Sequence, residues 1–306
     1  MKTAKTLSIY SFMKLFPNEE KAVKFFEKQI WGDKPVCPYC QSKETASRPK
    51  RNGHRCKKCR KDFSIRVGTI FENSKLPLHK WLYAMYLLVT ARKGVSSLQL
   101  SKELDITQKT AWFLLQRIRE ACSGDSTILS GIVEMDETYI GGKEKNKHAS
   151  KRTKGTQGRS TKTKTAVVGM RCREGNVKAQ AVKSVNTDTI NTIVDKHIQK
   201  GSVLCTDEAR IYSDVDDYSR LVVNHSVGEF VNGMASTNGI ESVWALLKRG
   251  YYGTFHHFSK KHIDRYVNEF TFRLNGGNCK IDTIDRMVNL TVKTVGKRIT
   301  YKELVA

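Results

Sequence analysis

Ile240, Val243, Trp244 and Leu247 recur at i, i+3, i+4 and i+7, which writes one apolar stripe along a helix. Glu241, Ala245 and Lys248 share a neighbouring face, because seven residues carry a helix through nearly two turns. A carboxylate and an ammonium thus lie about two turns apart with a small residue between them. Asn238 as N-cap with Glu241 three residues on also reads as a capping box, so Glu241 has a structural reading beside the chemical one. The same period marks residues 18–30, where Ala22, Phe25, Phe26 and Ile30 form the apolar side of a helix after Pro17. Residues 78–119 are helical throughout: a buried helix around Trp81–Leu88 ends at Lys93-Gly94, and Ser96 or Ser97 caps a short helix through Leu104. Asp105-Ile106 then turns, and Thr107 caps a longer helix, Gln108 to Ala121. Short helix, tight turn and longer helix make the helix-turn-helix plan, which would present Thr107, Gln108 and Lys109 to base edges.

Past Gly124 the period changes to two. Ile132–Ile140 alternates and ends at Gly141-Gly142, with Asp136 inside the strand, where an acid is disfavoured unless it has a use. Strands follow over 165–172 and 177–185, joined by the hairpin signal Glu174-Gly175-Asn176. A helix over about 187–199 is capped by Thr187 or Asp188 and stopped by Gly201. The apolar strand 203–208 finishes on Asp207-Glu208, a short strand spans 221–223, and a last helix runs from about Lys260 to Asn275. Between the first two strands, residues 143–164 are basic, polar and almost free of apolar side chains, so a mobile loop making phosphate contacts is expected, with Lys151, Arg152 and Lys154 as examples.

Composition sharpens this picture. With 54 Lys and Arg against 30 Asp and Glu in 306 residues the formal charge is +24, which calls for a polyanionic partner such as nucleic acid. No run approaches the roughly 20 apolar residues of a membrane helix, and the N-terminus lacks the apolar core of a signal peptide. A cytoplasmic protein without membrane attachment is therefore expected, with its eight cysteines reduced. Four of them form Cys37-Pro38-Tyr39-Cys40 and Cys56-Lys57-Lys58-Cys59 with fifteen residues between the pairs. Two such turns aim four thiolates at one point, which is the spacing of a structural Zn²⁺ ribbon.

The strand and helix order from residue 126 onward is that of an RNase H-like α/β domain. It can bring Asp136, Asp207 and Glu241 together although they are far apart in sequence. Three clustered carboxylates repel unless divalent cations lie between them, and hard oxygen donors suit Mg²⁺ or Mn²⁺. Such a pair of ions activates a water or a 3′-hydroxyl for phosphodiester displacement.

The cysteine pairs, Met135-Asp136-Glu137-Thr138-Tyr139-Ile140-Gly141-Gly142, Thr206-Asp207, and the block from Asn238 through Glu241 and Trp244 to Lys248-Arg249-Gly250 resemble the IS1595-type (ISXO2-like) insertion-sequence transposases. Tyr252–His257 and Arg265–Asn275 extend the likeness, which spans roughly residues 15–304. The resemblance implies an acidic-triad transposase that cuts the ends of a mobile element and joins them to target DNA, with Asp136, Asp207 and Glu241 as metal ligands. It also implies that Lys248 acts on the DNA end, with Arg249 beside it, and that double-stranded DNA and a second copy of the chain on that DNA are the partners. Relatives that use Asn or His as third ligand make Asn238 a competitor of Glu241. The expected organisation is an N-terminal helix and zinc ribbon over 1–70, a helix-turn-helix region over 71–125, and the catalytic domain over 126–306. A nuclease without strand transfer and a zinc-ribbon regulator with an inactive catalytic domain are the competing functions.

Overall fold

The computed structural model of the chain describes residues 5–49, 53–142, 144–154, 162–173, 175–213, 215, 217–275 and 281–306. It divides into two compact units, Met1–Gly124 with Gly276–Ala306, and Asp125–Asn275.

The first unit begins with α1 (Ile9–Leu15) and α2 (Glu19–Trp31), the latter opened by the Asn18 side chain accepting from Lys21 N–H. A three-stranded antiparallel sheet follows, β1 (Thr45–Arg48), β2 (Gly53–Cys56) and β3 (Asp62–Phe63). Then α3 (Leu78–Thr90) buries Trp81, Leu82, Met85 and Leu88, and its free N-terminal N–H groups at Leu78 and His79 each find a Glu19 carboxylate oxygen at 2.8 Å. Phe26 of α2 packs on Phe71, and Phe71 on Trp81, so one aromatic file joins these helices. The pair α4 (Ser97–Leu104) and α5 (Gln108–Ala121) is capped by Ser96 and Thr107 as expected, with Asp105 left-handed at the turn (φ 48°).

The second unit is a five-stranded mixed sheet with helices. Its strands are β4 (Ile132–Ile140), β5 (Thr165–Cys172), β6 (Val177–Val182), β7 (Val203–Asp207) and β8 (Ser219–Val223), in the spatial order β6-β5-β4-β7-β8. β4, β5 and β6 pair antiparallel, whereas β7 runs parallel to both β4 and β8. This is the order of strands and helix expected from the sequence, closed into one mixed sheet. α6 (Thr187–His197), capped by Asn186, precedes β7 and buries Ile190, Ile193 and Val194 against Met135, Val168, Met170 and Leu204 on one face. The other face carries α7 (Asn238–Gly250) and α8 (Ile263–Asn275), packed with Ile140 and Val167. α8 also closes the edge of the sheet: Asn275 pairs with both backbone groups of Val177, at 2.7 and 2.9 Å, and Asp264 accepts from Ala181 N–H.

Two closing helices, α9 (Thr283–Val292) and α10 (Tyr301–Val305), belong to the first unit. The sequence pattern assigns everything after residue 126 to one domain, and the structure corrects this. α9 lays Met287 and Leu290 against α2 and α3, and Ile70 N–H donates to Thr294 O, so residues after 280 complete the helical core of the chain's beginning. The expected basic loop carries some local structure. Among its described residues, Glu144–Asn146 and Ala149–Lys151 form two short 3-10 turns, tied by Glu144 accepting from Lys147 Nζ and from Thr153 N–H. Lys143 and residues 155–161 of that loop lie outside the described residues, as do Glu174 of the expected hairpin and Cys279.

Candidate metal centres: a thiol cluster and a carboxylate face

The four ribbon thiols come together as their spacing demands. All four Sγ atoms lie within 4.8 Å of one another, with Cys37–Cys59 at 3.6 Å and Cys40–Cys56 at 3.5 Å. A tetrahedral ion with Zn–S bonds of about 2.3 Å separates its sulfurs by about 3.8 Å, so the cluster fits zinc with almost no adjustment. Each knuckle ends on a left-handed residue, Gln41 (φ 59°) and Arg60 (φ 60°), which reverses the chain and turns the second thiol inward. The Cys56 thiol is pulled down to about 6, first by the Cys59 backbone N–H that donates to its sulfur, and it is thereby prepared as a thiolate. Its neighbour Cys40, although the Ser42 backbone N–H lowers it, is raised to about 11 by burial and by side-chain hydrogen bonds to Cys56, Cys59 and Cys37. One proton is thus lost before the other, as expected of thiols packed this closely. Trp31 and Phe63 cover the cluster. Of the remaining cysteines, Cys122 and Cys205 are buried and Cys172 is half-buried.

The second centre is built on β4. Side chains alternate along a strand, so Glu134 and Asp136 face α7 while Met135 and Glu137 face α6. The ladder between β4 and its parallel neighbour β7 pairs Glu134 with Cys205. Two residues beyond the end of that ladder, Asp136 and Asp207 fall on the same face by alternation, on neighbouring strands. Glu241 enters from the first turn of α7, which packs over β4 and β5. Asp136 senses the charges of the other two. Asp136 is pushed up to about 7, first by burial, then by the charge of Glu137 and those of Asp207 and Glu241. A proton held this tightly by crowding is what a divalent cation displaces, and an all-oxygen donor set fits Mg²⁺ or Mn²⁺. Among the described residues only the thiol cluster brings three or more metal-type donors within 4.8 Å of one another; the three carboxylates do not all lie that close.

Each acid is held by neighbours. Trp244 Nε1 donates to Asp136 Oδ2 at 3.0 Å. Asp207 Oδ1 accepts from Ala209 N–H at 3.1 Å, and Arg220 fixes that corner by donating to Thr206 Oγ1 and Asp207 O, both at 2.9 Å. Glu241 Oε1 takes the Thr237 hydroxyl at 3.1 Å, and His225 Nε2 lies 3.1 Å from the same hydroxyl and 3.4 Å from Glu241. The capping-box expectation therefore fails. Thr237, not Asn238, is the N-cap, Asn238 is already helical, and the Glu241 carboxylate accepts the hydroxyl of the N-cap side chain instead of the N-cap backbone N–H. Glu241, Ala245 and Lys248 share one exposed face, with Arg249 also exposed.

The start of α7 is fixed by a buried acid that sequence reasoning missed. Glu134 accepts from Ile240 N–H at 2.9 Å and from Arg173 Nε at 3.2 Å, with Arg171 at 3.6 Å. Gly239 leaves the space this needs, since a Cβ there would run into Arg171 and Glu134. The available signal was register: Glu134 lies directly opposite Arg171, as Asp136 lies opposite Gly169. His225 carried no such signal, because its place depends on the path of the loop that leads into α7.

In the first unit, Thr107, Gln108 and Lys109 are exposed at the start of α5 as expected. Each already has an internal partner: Thr107 bonds Thr110, Gln108 Nε2 donates to Ser97 Oγ at 2.8 Å, and Lys109 lies over the Tyr301 ring. Lys151, Arg152 and Lys154 are exposed, with Arg152 Nε also donating to Lys147 O at 3.1 Å. Among the described residues no helix is long and apolar enough to cross a membrane.

Comparison with known proteins gives two family matches. Residues 128–275 match the ISXO2-like transposase domain, and residues 17–62 match the transposase zinc-ribbon domain, both of the IS1595 type. An uncharacterized protein in transposable element ISH50 of Halobacterium salinarum is 29% identical over 274 residues, covering 85% of this chain and 92% of that protein. Among solved structures, the Mos1 strand transfer complex superposes with a TM-score of 0.28 and 12% identity, over 72% of this chain and 79% of that one. A simian T-cell lymphotropic virus intasome, in complex with the PP2A regulatory subunit B56 gamma, gives 0.28 and 13% over 63% of this chain and 65% of that one, less than two thirds of its length.

Proposed function

Because the chain carries the zinc-ribbon and ISXO2-like domains of the IS1595 transposases, we propose that it binds the ends of an insertion sequence and cuts and rejoins DNA there at Asp136, Asp207 and Glu241. The observation that carries this reading is that Asp136 on β4 lies close enough to Asp207 on the parallel neighbour β7, and to Glu241 in the first turn of α7, for their charges to raise its proton affinity. Divalent cations held there would make the attacking oxygen a better nucleophile and neutralise charge on the transferring phosphate.

The chain's own residues do the rest. Asp136 and Asp207 supply two ligand oxygens from rigid strands, and Glu241 adds a third on a helix clamped at its start by Glu134. In the cutting step a water oxygen attacks the phosphorus at the element end, the P–O3′ bond breaks, and a 3′-hydroxyl is freed. In joining, that 3′-hydroxyl attacks a target phosphodiester, one new P–O3′ bond forms and the target's own 3′-oxygen leaves with a proton. Lys248, two turns from Glu241 on the same exposed face, puts an ammonium beside the phosphate being handled. Binding rests on other parts: the α4–α5 pair reads DNA through Thr107, Gln108 and Lys109, and Lys151, Arg152 and Lys154 neutralise phosphates.

A joining assay tests the reading. Wild-type protein, Mg²⁺, a pre-cut element end and a target plasmid should give covalently joined product; release of the end by hydrolysis alone would make the protein a nuclease. Converting Lys151, Arg152 and Lys154 to Gln should weaken binding to all duplexes alike and flatten the slope of log affinity against log salt by about 0.9 for each phosphate no longer neutralised. An unchanged slope would leave that segment without a role in binding.

A further inference from the structure

Trp244 sits one turn after Glu241 and is 4% exposed, so its first role is core packing. A core tryptophan needs a partner for its indole N–H, and this one gives it to Asp136 Oδ2 at 3.0 Å. The rest of the ring lies over Gly169, the residue paired with Asp136 across the β4–β5 ladder. A Cβ at Gly169 would run into the six-membered ring of the indole, against its Cη2 and Cζ2 atoms. Gly169 is thus demanded by space, in the middle of an eight-residue strand where glycine is otherwise unfavourable.

We propose that Trp244 is a positioning residue for the Asp136 carboxylate: seated on Gly169, its N–H holds one oxygen of Asp136 and so sets the direction in which the other meets a divalent cation. Asp136 then has one rotamer before the metal arrives, instead of selecting it on binding. Because Trp244 and Glu241 share one turn of α7, the same hydrogen bond locks the helix that carries one ligand to the strand that carries another. A neutral donor suits this role, since it orients the carboxylate without cancelling the charge that the cation needs. The proposal rests on the reading of Asp136 as a metal ligand.

The test uses the full zinc-loaded chain and reads Mn²⁺ binding directly, by the loss of the free-ion electron paramagnetic resonance signal, beside cleavage of element-end DNA. Trp244→Phe keeps an aromatic ring and removes the N–H; Gly169→Ala keeps every polar group and displaces the ring. Each should raise the Mn²⁺ concentration for half-saturation and for half-maximal cleavage by about tenfold, the usual loss when a ligand's hydrogen-bond partner is removed. The KM for DNA and the zinc content should not change. The two substitutions together should do no more than Gly169→Ala alone, because they break the same hydrogen bond. If Gly169→Ala fails to fold, Trp244→Phe still decides the matter. A wild-type Mn²⁺ requirement in Trp244→Phe, or losses that multiply in the double variant, would overturn the proposal. Asp136→Ala separates the two levels: its normal Mn²⁺ binding would overturn the reading of Asp136 itself. Lost binding there beside normal binding in Trp244→Phe would overturn only the positioning role.

Discussion

Replacing Asp136 or Glu241 by Ala is expected to reduce cleavage and joining more than about a thousandfold, a barrier increase of about 4 kcal/mol, while leaving binding to the element end largely intact. The size follows from the arrangement. In the proposed site each acid would be one of three oxygen ligands around a shared charge, and removing one would leave the phosphate without a correctly placed cation. Binding should survive because the proposal places it on other residues, the start of α5 and the basic segment after β4. The same measurement decides between Glu241 and Asn238. Both are exposed in the first turn of α7, but Glu241 lies in a hydrogen-bonded set with Thr237 and His225, and a carboxylate neutralises metal charge where an amide does not. Asn238→Ala should therefore cut DNA at close to the wild-type rate. Normal cleavage by Glu241→Ala together with loss in Asn238→Ala would transfer the third ligand to Asn238.

The second large effect concerns the thiol cluster. The ribbon sheet is three short strands with Cys37, Cys56 and Phe63 as its buried centre, too little apolar area to hold itself together. Zinc must supply the difference, and structural zinc sites are worth on the order of 10 kcal/mol near neutral pH. Metal analysis should find one zinc per chain, bound by Cys37, Cys40, Cys56 and Cys59. Chelation, or Cys56→Ser, should unfold residues 37–63 and expose all four thiols to alkylation. Four thiols that react at once in protein purified without chelator, with no zinc present, would refute the assignment.

How much of this was legible in the sequence depended on how local the controlling interaction is. The ribbon was readable because ligand spacing within each Cys-x-x-Cys is a property of one turn. Asp136 and Asp207 were readable because an acid inside or ending a strand is locally disfavoured, and the strand order brings the two strands together. The carboxylate set of Glu134 with Arg171 and Arg173 was not found, although it clamps α7. Its acid and bases sit in alternating strand positions that also suit solvent, and only the pairing register sets the buried Glu134 opposite the half-buried Arg171. Glu241 was placed correctly on its helix face, but the capping box was misjudged. Sequence spacing alone does not reveal that the turn begins at Thr237 and that a distant His225 completes the bonding. The return of α9 and α10 to the first unit was hidden for a similar reason. The apolar stripe of Met287 and Leu290 announces a buried face but not which core buries it.

The most direct test of metal-dependent cutting at this carboxylate face is a single-turnover cleavage reaction on duplex DNA that carries the element end with its flank, run with wild type and with Asp207→Ala. The wild type should cut the strand at the element end on addition of Mg²⁺ or Mn²⁺ and not without a divalent ion. Asp207→Ala should cut at no metal concentration although it binds the same duplex. Cutting by Asp207→Ala at the wild-type rate, or wild-type cutting that needs no divalent ion, would contradict the assignment.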